Sequence, residues 1–143
     1  MSNLALFLKK NKIEKKNTFY AATKSLCDEN GKPLEWEIRP ISTRQNDAIR
    51  DKCTIEVQIT GKPGQYRQKI NTSKYVAELL AASVVFPDLN DKTLQDSYGV
   101  MSPTDLLQEM IDSPSEYNDF AAFVQDFSGF DVDFNDEVRE AKN

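Results

Sequence analysis

The stretch KYVAELLAASVVFPDLNDKTLQDSYGV, residues 74–100, decides how the rest of the chain is read. Residues 75–86 are apolar almost all the way round a helix, interrupted only by Glu78 and Ser83. A surface helix would leave a wide polar face, so the spacing predicts a central helix covered on several sides. Pro87 is expected to end it at Phe86, because the residue before a proline is pushed out of helical geometry. Residues 88–91 form a polar turn. Asn90 or Asp91 is placed to cap a short helix ending near Tyr98, with Gly99 behind it.

On the N-terminal side of this stretch the pattern is mostly strand. Leu4, Leu6, Phe7 and Leu8 suit one or two helical turns and are followed by Lys9, Lys10, Lys12, Lys15 and Lys16. A nucleic-acid arm would use such a run, but it contains no arginine. The reading preferred is a solvated tether that holds an apolar plug. Phe19 and Tyr20 favour a strand within residues 18–27, and Asn30-Gly31 in the turn before Pro33 is a strong hairpin signal. Leu34, Trp36 and Ile38 then alternate with Glu35, Glu37 and Arg39 as a half-buried strand, with Trp36 as core anchor of the hairpin. Ser42 with Gln45 fits a capping box opening a helix to about Cys53. Ile55, Val57 and Ile59 mark a third strand, Gly61-Lys62-Pro63-Gly64 a turn, and residues 65–70 a fourth strand. The Gly-Lys pair is no phosphate loop: G-x-x-x-x-G-K-[ST] is absent and Pro63 removes a needed amide.

On the C-terminal side the chain reads as helix. Asn71, Thr72 or Ser73 caps the central helix. Ser102-Pro103-Thr104-Asp105 opens a helix carrying Leu106, Leu107, Met110 and Ile111. Ser113-Pro114-Ser115-Glu116 is expected to form a full capping box for one carrying Tyr117, Phe120, Phe123, Val124 and Phe127. Gly129 ends it. Phe130, Val132, Phe134 and Val138 then lead into a last short helix. The expected fold is α+β: N-terminal antiparallel hairpins with one intervening helix, followed by a mostly helical C-terminal half. Residues 1–143 are expected to form a single domain, with 1–72 mainly β hairpins plus helix and 73–143 helical.

Composition narrows the chemistry. The chain of 143 residues has 39% hydrophobic and 29% charged residues, ordinary for a globular protein. No apolar run approaches the roughly 18 residues of a membrane span, and the N-terminus does not read as a signal peptide. There is no histidine, so the commonest general base and the commonest zinc ligand are missing. Cys27 and Cys53 lie far apart without metal-ligand spacing and are expected to be reduced, half-buried thiols. Charge is divided unevenly. Residues 1–72 hold 14 Lys and Arg against 8 Asp and Glu, a balance of +6, whereas residues 73–143 hold 4 against 15, a balance of −11. The acidic half repels nucleic acid and favours a basic partner.

Three groups of residues invite a functional reading. Asp131-Val132-Asp133-Phe134-Asn135 imitates the start of an EF-hand loop, but position 136 is Asp where glycine is needed and 142 is Lys where glutamate is needed. These acids are read instead as favouring the N-terminal end of the last helix. Asp88, Asp91 and Asp96 have no nucleophile or oxyanion donor beside them, and turn formation and capping explain Asp88 and Asp91. The aromatic set Tyr117, Phe120, Phe123, Phe127, Phe130 and Phe134 falls within 18 residues. Tyr117, Phe120, Val124 and Phe127 share one helix face, while Phe123 sits off it. Core packing is the default for most of them. A surplus of aromatics on an acidic helix also suits a groove for an amphipathic partner helix, and these six are the candidate partner-binding residues. No catalytic residue, metal or cofactor is expected.

Phe86-Pro87-Asp88-Leu89-Asn90-Asp91 and Leu94-Gln95-Asp96-Ser97-Tyr98-Gly99-Val100 resemble the signature of the XkdN-like tail assembly chaperones of phages and prophages from Gram-positive bacteria. Gly31-Lys32-Pro33-Leu34-Glu35-Trp36-Glu37-Ile38-Arg39 and the ending Glu140-Ala141-Lys142-Asn143 fit that family too. The resemblance implies a non-enzymatic protein of the host bacterial cytoplasm that binds the tape measure protein. It would keep that protein soluble while the tail tube polymerises, and would be absent from the mature virion. It also implies contact with the tail tube protein and with a longer, frameshifted form of the chain itself, since related chaperones are often made in two lengths. Lys142-Asn143 suits a slip at A-AAA-AAY if the Ala141 codon ends in A; an ordinary frayed terminus fits the residues equally. The rival from another class is a structural tail or baseplate adaptor, and a small enzyme is supported least. No nucleic-acid or membrane partner is expected.

Overall fold

A computed structural model describes residues 3–130. It shows an α+β fold in which one helix packs against three other helices and the end of the three-stranded sheet. In chain order the elements are β1 (Thr18–Tyr20), β2 (Trp36–Ile38), α1 (Thr43–Lys52), β3 (Thr54–Gln58), β4 (Tyr66–Ile70), α2 (Thr72–Ser83), β5 (Val84–Phe86), α3 (Lys92–Ser97), α4 (Pro103–Met110) and α5 (Pro114–Ser128). Before β1, residues Asn3–Phe7 form a 3-10 turn.

The central helix is α2. Asn71 caps it by accepting the Lys74 N–H, and Tyr75, Val76, Ala77, Leu79, Leu80 and Ser83 are buried along it. Such wide burial is what an almost wholly apolar helix requires. It packs against α1, α4, α5 and β5. Its end corrects the sequence expectation. The helix stops at Ser83, not at Phe86, and Val84-Val85-Phe86 is a strand. Two β-branched residues and an aromatic before a proline suit an extended backbone. β2 supplies the hydrogen-bonding edge, with Ile38 paired to Val84 and Glu37 to Phe86. The Arg39 N–H donates to Ser83 O at 2.8 Å and continues the pairing past β2.

The resulting sheet has the order β1-β2-β5, antiparallel throughout, with Thr18 opposite Ile38, Phe19 opposite Glu37 and Tyr20 opposite Trp36. Its inner face places Trp36, Ile38 and Val84 in the core with Tyr20 at the margin. On its outer face Phe19, Glu37 and Phe86 form one row, and both phenylalanines are exposed. The β1–β2 hairpin, the capping box of Ser42 with Gln45, and the Asp91 cap of α3 all form as the residues predict. The third and fourth strands also pair, but as a separate two-stranded sheet.

Two further expectations are corrected. Ser113 makes no capping hydrogen bond to α5; its hydroxyl lies 3.2 Å from that of Ser115. Glu116, the other half of the expected box, is taken by Thr23 and Lys24 of the N-terminal half. The N-terminal apolar plug is not seated either. Leu4, Leu6, Phe7, Leu8 and Ile13 are all exposed.

Candidate partner-binding surface

The aromatic residues of α5 separate into two groups by depth. Ser102 and Pro103 start α4, and its buried Leu106, Leu107 and Met110 form part of the core that also takes in α5. On α5, Phe120, Ala121 and Val124 turn into that core, and Gly129 closes the helix with a left-handed backbone. Phe120 is 0% exposed. It meets the Trp36 ring edge-on at 6.2 Å and the Tyr20 ring in a stack at 5.6 Å. It is a core residue, as the default reading of this set holds.

Phe123, Phe127, Phe130 and Tyr117 are half-buried and line the margin. Phe123 stacks on Tyr20 at 4.3 Å and on Phe127 at 5.9 Å, with the rings nearly parallel in both pairs. The ladder is therefore Phe120, Tyr20, Phe123, Phe127. Lys15 ends it: its ammonium lies 4.6 Å from the centre of the Phe127 ring and also donates to the Phe127 carbonyl. Stacked aromatics and a cation over a ring each add to simple burial. Burial pushes the Tyr20 hydroxyl up from its ordinary pKa, helped by the charges of Asp119 and Glu116. Burial also pushes Tyr117 up, against a hydrogen bond from Gln108 that lowers it. Both phenols are thus uncharged hydrogen-bonding groups at neutral pH. Glu116 is held below its ordinary carboxylate pKa by the Lys24 N–H and then by the Thr23 hydroxyl.

Five of the six predicted aromatics therefore gather on α5 and just beyond it, whereas Phe134 lies outside the described residues. Tyr20 and Lys15 join them from the N-terminal half. Sequence reasoning assigned neither to this surface; the β-favouring Phe19 and Tyr20 marked a strand but could not say what it would meet. Phe19 and Phe86 on the outer sheet face are a second exposed aromatic pair that local spacing did not bring together.

A cleft of about 330 Å³ lies between α1, α2 and the turn after β5, lined in part by Ala48, Ile49, Ala81, Ala82, Val84 and Leu89. Lys52 and Glu78 pair at 3.0 Å among its walls, and Arg39 donates Nε–H to Ala82 O at 2.7 Å. The three aspartates considered for chemistry serve structure. Asp88 accepts the Asn90 N–H, Asp91 caps α3, and Asp96 lies 3.8 Å from Lys92. Among the described residues no group of three or more His, Cys, Asp or Glu is placed to hold a metal ion, and the EF-hand-like residues lie outside them. Cys53 is enclosed and Cys27 exposed, both as free thiols. No helix among the described residues is long and apolar enough to cross a membrane.

The fold and sequence both have relatives. The chain is 23% identical over 141 residues to the phage-like element PBSX protein XkdN of Bacillus subtilis (strain 168), covering 99% of this chain and 94% of that protein. It is 21% identical over 141 residues to the protein YqbN of the same strain, covering 99% and 93%. The crystal structure of YqbN superposes with a TM-score of 0.73 at 17% identity, over 92% of this chain and 99% of that one. The family model of the phage XkdN-like tail assembly chaperone protein matches residues 4–142. With nearly its whole length matched, this chain belongs to the XkdN-like phage tail assembly chaperone family.

Proposed function

We propose that this protein binds the tape measure protein in the host cytoplasm and keeps it soluble while the tail tube polymerises around it. A long amphipathic helix alone in water exposes a continuous apolar stripe, and such stripes aggregate unless covered. The observation that carries this reading is the half-exposed ladder in which Tyr20 of β1 stacks on Phe123 and Phe123 on Phe127 of α5, beside the exposed acids Asp119 and Asp126. An apolar track with acids beside it suits a helix whose apolar stripe is flanked by basic residues. The role is one of binding and release, with no catalytic step, and the protein leaves before the particle is complete. Contacts with the tail tube protein and with a longer form of the chain belong to the same reading.

Co-expression tests it. The tape measure protein is expected to be insoluble alone and to stay soluble and co-purify with this chain. Phe127→Asp should abolish co-purification while circular dichroism and the melting transition remain those of a folded protein. A folded variant that still co-purifies overturns the assignment of this surface, and failure of the unmodified pair to associate overturns the function.

A further inference from the structure

Among the described residues the hydrogen bonds that tie the β3–β4 hairpin to the rest of the chain lie at its base. The Asn71 N–H donates to Cys53 O at 2.8 Å, and the Thr54 hydroxyl donates to Arg50 O at 2.9 Å. Among the described residues no other strand or helix packs extensively along it. A two-stranded hairpin with nothing against its apolar face is marginal in water. This one is also unusually two-sided. Ile55 pairs with Lys69 and Val57 with Arg67, and the Ile59 N–H donates to Gln65 O at 2.9 Å. Directly paired residues share a face, so Ile55, Val57 and Ile59 form an apolar column beside a column made by Lys69 and Arg67. Ile55 is 44% exposed, both cations are exposed, and neither has a salt bridge among the described residues.

The complementary surface lies on the same chain. The outward side of α4 and the second residue past its end present Asp105, Gln108, Glu109 and Asp112, all exposed. Met101, just before the helix, is 94% exposed. None of these three acids has a salt bridge among the described residues, and no salt bridge joins the hairpin to α4 within the chain. One surface is apolar and basic; the other is acidic with an apolar knob.

We propose that the hairpin face of one copy docks on the α4 face of a second copy, with Arg67 and Lys69 against Asp105, Glu109 and Asp112, and Ile55 and Val57 against Met101. The net charge of −5 opposes any contact between copies, so only a local pairing of opposite patches brings them together. The two patches are different parts of the molecule. A single contact therefore leaves one hairpin and one α4 face unused, which lets further copies add head to tail, in a ring where the rotation closes and in an open chain where it does not. This association stands apart from whatever the α5 aromatics bind.

Sedimentation velocity of the full chain across the micromolar to millimolar range tests it by charge exchange. The unmodified protein should form a series of species that grows with concentration. R67E/K69E alone and D105K/E109K alone should each stay monomeric, with association weakened more than about tenfold. Mixed one to one, the two variants should associate again, because each now carries the charge the other's patch requires. Recovery in the mixture also shows that both variants are folded. A protein that stays monomeric at every concentration overturns the proposal, as does association that either variant leaves unchanged. A mixture of folded variants that stays monomeric overturns the pairing too. If R67E/K69E loses a protein client while self-association was never present, the hairpin's occupant is that client and not a second copy.

Discussion

The hydroxyl of Thr23 donates to Glu116 Oε1 at 2.8 Å, joining two residues 93 positions apart in the chain. The other carboxylate oxygen of Glu116 accepts the Lys24 N–H, also at 2.8 Å. Thr23 is enclosed, and its oxygen additionally accepts the Ser25 N–H at 3.2 Å. One carboxylate at the mouth of α5 thus fastens the loop after β1 to the helical half.

Removing this clasp should make stability less sensitive to acid. The folded pKa of Glu116 lies below its ordinary value of 4.5, so its contribution is complete above that value and is lost as the pH falls through the lower, folded one. The melting temperature of Glu116→Gln should therefore fall furthest below the parent at neutral pH, with the gap closing as the pH drops under 4.5. Glu116→Ala should cost about 1 kcal/mol at neutral pH by removing the acceptor of the Thr23 hydroxyl and of the Lys24 N–H, with Ser25 Oγ, 2.8 Å from Thr23 Oγ1, left to take the hydroxyl. Chemical denaturation at several pH values checks both.

The two depths of the aromatic set should separate in stability. Phe120→Ala is expected to cost about 3–5 kcal/mol, since it empties space between Trp36, Tyr20 and α2. Phe127→Ala loses one stacked ring and the Lys15 contact and should cost less than about 1.5 kcal/mol. Urea midpoints of the two variants measure the difference. Equal costs would show that Phe127 is as deeply packed as Phe120.

The thiols should differ in reactivity. Burial pushes the Cys53 thiol up from its ordinary pKa, and the nearby charge of Glu78 pushes the same way. Thiolate is the reactive form, so Cys53 should resist an aromatic disulfide reagent until the protein unfolds. Cys27 is exposed and should react at once. One fast thiol per chain is expected, and Cys27→Ser should remove it.

The cap of the central helix should matter in proportion to one hydrogen bond. Asn71→Ala removes the acceptor for the Lys74 N–H and should lower stability by about 1 kcal/mol, with Asn71→Asp close to the parent. Thermal melts of the three proteins compare them directly.

What was legible in advance was whatever depends on a few neighbouring residues. The capping box of Ser42 with Gln45, the Asp91 cap and the Gly129 stop each involve residues within four positions of one another. Two of the misread features depend on distant partners. Val84-Val85-Phe86 continues an apolar helix pattern, and only β2, more than 40 residues earlier, draws it into a sheet. Glu116 has the right spacing from Ser113 for a box, yet Thr23 and Lys24 take it. Helical spacing set Phe123 apart from its neighbours' face, and Tyr20 gives it a stacking partner there. The candidate partner-binding residues were legible as a composition, not as a surface.

The late arrival of β5 and α5 also sets a schedule for synthesis. The β1–β2 hairpin leaves the ribosome well before β5 can complete its sheet, and before Phe120 can cover Trp36 and Tyr20. While translation continues, those rings have nothing to shelter them, and such transient apolar surface is where nascent chains aggregate. A protein whose family guards an assembly must itself pass through a sticky interval, which closes only after the last turn of α5 has been made.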